Sequence, residues 1–241
     1  MPEPVTTIVV ALIGAVAVLL AAVLTVLLTD KYTQKKERQQ RQNIIIQRYL
    51  YQLQDALATL WYRLGNLAFR DGRSVMTDDY YISTTLYAIG KVLAIGHIFD
   101  LEAVYPQLDA AYPELGKCLS EYSFDLNLQK FNVYQYERNL LAEAVIVHEG
   151  DLFRTITYFE FRKRYKEEEF SELLKTAINA INSLDIKNKN DIMWMEEQMN
   201  ALFKPAEQIT KYASVVGTIP NSEKLTNKSL RDLYLDTVKR P

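Results

Sequence analysis

The spacing of apolar residues changes several times along the chain, and each spacing predicts a different kind of helix. From position 5 to position 28 nearly every residue is Val, Leu, Ile or Ala, and no charge occurs between Pro4 and Thr29. A helix of this length rises roughly 36 Å, enough to cross a bilayer core of ~30 Å. We therefore expect a transmembrane anchor over 1–30. Its representative positions are Val5, Leu12, Ala17, Ala21, Thr25 and Leu28.

A cleaved signal peptide is the alternative for this segment. Signal peptides have a basic first region and an apolar stretch of only about 7–15 residues. Here the preceding residues are Met-Pro-Glu-Pro and the apolar stretch is longer, so an uncleaved, single-pass signal-anchor is favoured. Ala17, Ala21 and Thr25 recur every four residues, a spacing that lets helices approach closely but that also arises by chance in Ala-rich spans.

Basic residues follow the apolar segment and predict a helical stalk over 31–45. Between positions 31 and 48 the only acid is Glu37. Bases beside a span stay in the cytoplasm, so we expect the N-terminus outside the inner (cell) membrane and the later residues inside. The same bases can touch anionic lipid headgroups. They are Lys31, Lys35, Lys36, Arg38, Arg41 and Arg48.

A heptad pattern begins at position 46 and predicts a helix as far as about position 70. The positions beside its seam carry residues such as Tyr49, Ala56 and Trp61 rather than paired opposite charges. The apolar face is thus wider than a two-stranded coiled coil needs, and packing within the same chain is favoured. The seam consists of Ile46, Leu50, Leu53, Leu57, Leu60, Leu64 and Leu67.

The segment Tyr80–Phe99 carries a single formal charge, Lys91, and is long enough for a second membrane span. A central lysine with several hydroxyl side chains makes insertion costly. Two apolar stripes at helical spacing favour a central, buried helix, with Thr77 or Asp78 as its N-cap. Insertion of this helix remains the alternative.

Turn residues and apolar periodicity predict further helices downstream. They are expected from Pro113 to about 129, from about 132 to 148, over 167–184, and from Asp191 onward with a kink at Pro205. With the two helices before them they form an all-α bundle of about six helices over 46–217.

Two later segments are less regular. The aromatic and β-branched residues of Phe153–Phe161 also suit a strand. A helix is favoured there, because no partner strand is identified. The polar tail, 218–241, has enough leucines for a short docking helix at most.

Composition narrows the classes of function. The 28 basic and 30 acidic residues exclude the broad basic surface of a nucleic-acid-binding protein. The single cysteine, Cys118, excludes an internal disulfide framework and is expected to be a buried thiol. The basic run Arg162–Lys166 is expected to be a solvated face largely neutralised by the glutamates four residues further on, with contact to nucleic acid or lipid as the alternative. No phosphate-binding loop or nucleophile motif occurs, so we predict no cofactor, identify no small-molecule ligand and do not favour an enzyme.

Two histidines near acids are the only candidates for metal chemistry. Neither cluster has the Glu-x-x-His motif of di-iron bundles or the His-Glu-x-x-His motif of zinc proteases. Capping of helix ends is the favoured role, and a metal-dependent sensor or enzyme is the alternative function. The candidate residues are His97, Asp100, Glu102, His148, Glu149 and Asp151.

Three short motifs carry a family resemblance: Leu86-Tyr87-x-x-Gly90, Gln135-x-Glu137-Arg138 and Tyr158-x-x-Phe161. The chain resembles bacterial proteins that pair one N-terminal span with an all-helical cytoplasmic domain, a family with no assigned activity. The resemblance covers most of 45–210 and implies that architecture. We predict a membrane-tethered helical interaction or scaffold protein, with the lipid bilayer and either a protein or a second copy as partners.

Tyrosine is the one residue type in excess, with 16 copies. Several lie near predicted helix ends, where an amphipathic ring can be half buried. A tyrosine-rich rim of the core is favoured over a partner-binding surface. These tyrosines are Tyr80, Tyr81, Tyr105, Tyr112, Tyr134 and Tyr136.

Overall fold

The computed structural model divides the chain into two compact units, Met1–Ile44 and Ile45–Pro241. In the first unit, helix α1 spans 20–37. Every buried apolar residue of the described part belongs to the second unit. The described residues are 20–37, 39, 40, 44, 46–70, 77–122, 126, 128, 133–150, 152–185, 187–212, 219, 220 and 228–238.

Eleven α-helices and one β-hairpin make up the described part of the second unit, which confirms the predicted all-α class. A π-helical turn, Ile46–Leu50, leads into the first of these helices. The elements are α2 (Tyr51–Arg70), α3 (Asp78–Leu101), α4 (Val104–Ala111), α5 (Pro113–Tyr122), α6 (Gln135–Ala144), β1 (Ile146–Glu149), β2 (Leu152–Thr155), α7 (Tyr158–Tyr165), α8 (Glu168–Leu173), α9 (Lys175–Asn182), α10 (Lys189–Ala201), α11 (Phe203–Thr210) and α12 (Leu230–Val238).

Helix α2 packs within its own chain, against α3, α10 and α12. Its seam leucines from Leu50 to Leu67 are buried, which confirms the bundle interpretation of the heptad. The flanking residues Ala56 and Trp61 are buried as well. A face this wide contacts several helices at once, as the flanking positions indicated.

Helix α3 is covered on several sides, by α2, α6, α9, α4 and α7. Thr77 caps its start, accepting a hydrogen bond from the backbone N–H of Tyr80. It is the one described helix that is long and apolar enough to cross a membrane, with a mean hydropathy of 1.4, yet 89% of that apolar window is buried inside the protein. The predicted buried helix is confirmed.

The β-hairpin corrects two predictions. The helix expected to reach 148 ends at Ala144, and Ile146–Glu149 pairs antiparallel with Leu152–Thr155. Gly150 turns the chain with a φ of +63°, which only glycine adopts freely. Helix was therefore wrong for the start of Phe153–Phe161 and correct for its end in α7. The partner strand, β1, lies in the segment that was predicted to be the end of the preceding helix.

Two predicted long helices are broken, which is one reason why the count exceeds six. The helix expected over 167–184 divides at Leu174, and the one from Asp191 divides at Leu202. Pro205 falls in the first turn of α11, where its missing N–H is tolerated. Proline thus marks a new helix rather than a kink inside one.

Part of the tail belongs to the core. Helix α12 packs on α2, and Tyr234 is fully buried with its hydroxyl donating to Asn66 Oδ1 at 2.7 Å. A Cβ on Gly65 would lie 2.3 Å from Cδ2 of that ring, so α12 approaches α2 closely only because this position is glycine.

Candidate functional site

The described part of the predicted span is a helix whose apolar side chains face outward. Six of its large apolar side chains within 20–28 are 53–66% exposed. Ala21, Thr25 and Leu28 lie on this helix, whereas Val5, Leu12 and Ala17 lie outside the described residues. The Thr25 hydroxyl donates to the carbonyl of Ala21 at 2.7 Å, so its polar group is satisfied within the helix. The six are Leu20, Val23, Leu24, Val26, Leu27 and Leu28.

The basic residues after this segment have two different surroundings. Lys31, Lys35 and Lys36 are exposed on α1, while Arg38 and Arg41 lie outside the described residues. Arg48 belongs to the second unit, and its guanidinium pairs with Glu102 at 2.5 Å. Arg48 therefore contributes to the bundle and is not a freely exposed base.

Glu102, one of the metal candidates, is a partly buried structural carboxylate with 11% of its side chain exposed. Its Oε1 accepts hydrogen bonds from Arg48 and, at 3.1 Å, from the backbone N–H of Phe153, and its Oε2 accepts from the Tyr49 hydroxyl. Burial, reinforced by that bond, raises the pKa of Tyr49. Both carboxylate oxygens thus accept hydrogen bonds that link the π-helical turn and the hairpin to the end of α3.

His97 and Asp100 line a small polar cavity of about 80 Å³ between α3 and α6. Gln135, Arg138 and Asn139 form its other polar wall, where Gln135 donates to Asn139 Oδ1 at 3.0 Å. A water molecule takes roughly 30 Å³ of liquid, and drug-sized ligands need about 300–1,000 Å³. The cavity is the size of a few waters.

The second histidine cluster is occupied by protein contacts. The His148 ring stacks on Phe153 with centroids 4.6 Å apart. Glu149 pairs at 2.6 Å with Arg154, which holds the pKa of that carboxyl below its usual range. Asp151 lies outside the described residues. Among the residues that the structure describes, no three His, Cys, Asp or Glu side chains form a group able to hold a metal ion.

Cys118 is buried, and burial raises the pKa of its thiol. A raised pKa keeps the thiol protonated at neutral pH, and a protonated thiol is a poor nucleophile. The environment agrees with the inert thiol that the sequence predicted.

A hydrogen-bond network between α3 and α7 was not predicted from the sequence. The Ser83 and Tyr158 hydroxyls are 3.0 Å apart, and Arg162 donates to the Tyr158 oxygen at 3.2 Å and pairs with Asp79 at 2.5 Å. Tyr158 and Arg162 are four residues apart, as are Asp79 and Ser83, so each pair shares a helix face. That spacing was the available signal, but nothing in the sequence says that the two faces meet.

Two of the three resemblance motifs, those of α3 and α7, meet in the same region. The Tyr87 ring lies 5.5 Å from Tyr158 and 5.6 Å from Phe161, centroid to centroid, and its hydroxyl donates to the carbonyl of Ile156 at 2.9 Å. A Cβ on Gly90 would lie 2.8 Å from Val145 Cγ2, so this glycine permits the close contact of α3 with α6. Packing of α3 accounts for these motif positions.

The tyrosines near helix ends are divided between core and surface. Tyr81 is fully buried, Tyr105 and Tyr112 are half buried, and Tyr134 and Tyr136 are 55% and 69% exposed at the start of α6. The predicted tyrosine-rich rim of the core fits Tyr105 and Tyr112, which are half buried. The exposed pair is an aromatic surface next to the polar cavity.

Comparison of the chain with protein-family models, with curated proteins and with solved structures gives no match in any of the three.

Proposed function

We propose that the protein is a single-pass, membrane-tethered helical interaction or scaffold protein. The apolar segment is inserted in the cell (inner) membrane with the N-terminus outside, and the bundle is in the cytoplasm. The observation that carries the tether is the exposed apolar surface of α1, whose leucines and valines would meet lipid instead of water.

The lysines that follow support the orientation. Lys31, Lys35 and Lys36 are exposed on α1 directly after its apolar part. Bases at this place favour the cytoplasmic side, and each is worth about 1 kcal/mol near an anionic leaflet.

Membrane fractionation of the full chain tests the tether. In the double variant Leu20→Asp/Leu24→Asp, two charges enter the segment, each costing up to ~2.5–3.5 kcal/mol on the insertion scale. We expect the wild type to stay in the membrane pellet after a carbonate wash and the variant to move to the supernatant. Leu173→Asp is the matched control, because Leu173 on α8 is also exposed, at 53%. A wild-type chain in the supernatant would refute the tether.

The exposed aromatic pair on α6 supports the interaction role. Tyrosine is enriched at protein interfaces because its rigid ring combines an apolar face with a polar tip. A photo-cross-linking residue at position 136 of the full chain in membranes is expected to give one discrete adduct, with a protein or with a second copy. The same residue at position 173 is the control. Absence of a discrete adduct at position 136 would count against this surface as the interface.

A further inference from the structure

Helix α7 and the residue that caps its end present cations and aromatic rings, here named the α7 cationic surface: Tyr158, Phe159, Arg162, Lys163 and Lys166. These residues surround an open cavity of about 300 Å³. At about 100° per residue the first four fall within an arc of roughly 140° on the helix. Glu160, the one acid within α7, lies outside this arc and is engaged with Thr157 and Arg154.

The ion pairs expected within this basic run do not form among the described residues. Neither Lys163 nor Arg164 lies within 4.0 Å of the glutamate four residues on; Arg164 instead donates to the carbonyl of Ala144 at 3.3 Å. Of the surface's own cations, Arg162 is paired with Asp79. Lys163 and Lys166 are exposed and form no ion pair in the part of the chain that the structure describes.

Phe159 is the apolar centre of this face. Its ring is 69% exposed, and the Lys163 ammonium lies 4.5 Å from the ring centroid. A large exposed aromatic ring beside cations is typical of segments at a membrane interface, where the ring reaches the headgroup region and the cations contact lipid phosphates and carboxylates.

We propose that the α7 cationic surface docks on the anionic leaflet of the bilayer that holds the chain. This inference rests on the proposed tether, which supplies the argument for lipid over other anions. A tether makes the second contact intramolecular, so a surface too weak to bind free vesicles can bind the bilayer beside it. The exposed Lys163 and Lys166 are complementary in charge to anionic lipid headgroups, and the exposed Phe159 ring adds an apolar contact with the bilayer.

Fluorescence quenching tests the docking. The full chain with Phe159→Trp is reconstituted in nanodiscs of brominated phosphatidylcholine, with or without phosphatidylserine. The native Trp61 and Trp194 are buried and give a constant background. We expect strong quenching of the introduced indole with phosphatidylserine and several-fold less without it. Each lysine near an anionic surface is worth about a factor of five, so adding Lys163→Gln/Lys166→Gln should reduce the docked-to-undocked ratio about 30-fold.

Met193→Trp is the control, because Met193 on α10 is also exposed, at 47%, and lies outside this surface. Its introduced indole should show no dependence on phosphatidylserine. Circular dichroism of the glutamine variant verifies that it folds.

The failures of the two proposals are distinguishable. A chain that does not enter nanodiscs refutes the tether itself. A chain that enters but is quenched at position 159 equally with and without phosphatidylserine, or not at all, overturns the docking alone. A response only to added acidic polypeptide would assign the surface to a protein partner and would also overturn the lipid assignment.

Discussion

Helices α1 and α3 are both rich in apolar residues, yet their side chains have opposite surroundings. Large apolar side chains of α1 within 20–28 are more than half exposed, whereas most of those of α3 are covered by five other helices. By hydropathy, α3 and the apolar segment 5–28, whose last residues lie in α1, both have the composition of a membrane span. The two helices therefore differ in whether their large apolar side chains are exposed or buried.

Their polar residues show the same difference. In α3, Lys91 pairs with Asp55, and Thr85 accepts a hydrogen bond from Arg63 at 2.8 Å. In α1, the Thr25 hydroxyl bonds to its own helix. Polar groups in lipid have to be satisfied within the helix, while those in a protein core can find partners on other elements. Thr85 also donates to a carbonyl of its own helix, that of Tyr81 at 2.8 Å, so what distinguishes α3 is that its polar groups have additional partners on other elements.

The largest expected effect is the loss of stability from a Leu→Ala truncation in α3, compared with the same truncation in α1. Leu86 in α3 is fully buried, and Leu86→Ala should lower the free energy of unfolding by about 2–5 kcal/mol through lost burial and a cavity. Leu24 in α1 is 57% exposed, and Leu24→Ala should change it by less than about 0.5 kcal/mol. Urea unfolding of the full chain in detergent, followed by tryptophan fluorescence, measures both. Equal losses would break the comparison.

Periodicity was enough to predict the helices that supply most of the core. The seam of α2 and the two stripes of α3 repeat at helical spacing because one side of each helix, or nearly all of it, is buried. The breaks at Leu174 and Leu202 could not be predicted in this way, since apolar periodicity continues across them. The hairpin was missed because strands of four residues are too short to establish an alternating pattern.

The candidate site was harder to predict than the fold. The histidine clusters were found by sequence proximity, but Glu102 is committed to Arg48 and Tyr49, more than 50 residues away in sequence. Whether the Lys163 charge is paired within the run depends on whether its side chain extends toward Glu167 or over the Phe159 ring. Both arrangements have allowed spacing, and only the three-dimensional contacts decide between them.

A second prediction uses pH to report the covering of α3. Burial, with smaller contributions from Asp55 and Glu160, raises the pKa of Tyr87 to about 12 from its ordinary value of about 10. The fold thus favours the protonated phenol, so this contribution to stability is complete below pH ~10 and is lost as the pH rises toward 12. Two pKa units correspond to about 2–3 kcal/mol.

Urea unfolding at intervals from neutral pH to pH ~12 measures this dependence. Tyr87→Phe should show a smaller loss of stability over that interval than the wild type. Tyr32→Phe is the reference variant from α1, where the side chain is 71% exposed. If the Tyr87→Phe and Tyr32→Phe curves have the same slope above pH ~10, Tyr87 is not buried as described.

A third prediction tests how closely α3 is covered. A Cβ at Gly90 would lie 2.8 Å from Val145 Cγ2 and 3.1 Å from the backbone oxygen of Leu141. Gly90→Ala should therefore destabilise the bundle by about 1–2 kcal/mol, although alanine is intrinsically the better helix former. Gly14→Ala, in the predicted span, should leave the unfolding of the bundle unchanged. A stabilising Gly90→Ala would show that α6 is not in close contact.

The smallest effect concerns the charge inside α3. The Lys91 side chain is 11% exposed, while that of its partner Asp55 is 66% exposed. Removing Asp55 leaves an ammonium that water reaches poorly, whereas removing Lys91 leaves a carboxylate that water already solvates. Asp55→Ala should accordingly cost about 1–2 kcal/mol, and Lys91→Met less than about 1 kcal/mol. Urea unfolding of the two single variants and of the double variant gives this asymmetry and the coupling between the residues. If Lys91→Met lowers the free energy of unfolding more than Asp55→Ala does, Lys91 stabilises α3 through contacts beyond this ion pair. The buried lysine would then be required for the packing of α3 independently of Asp55.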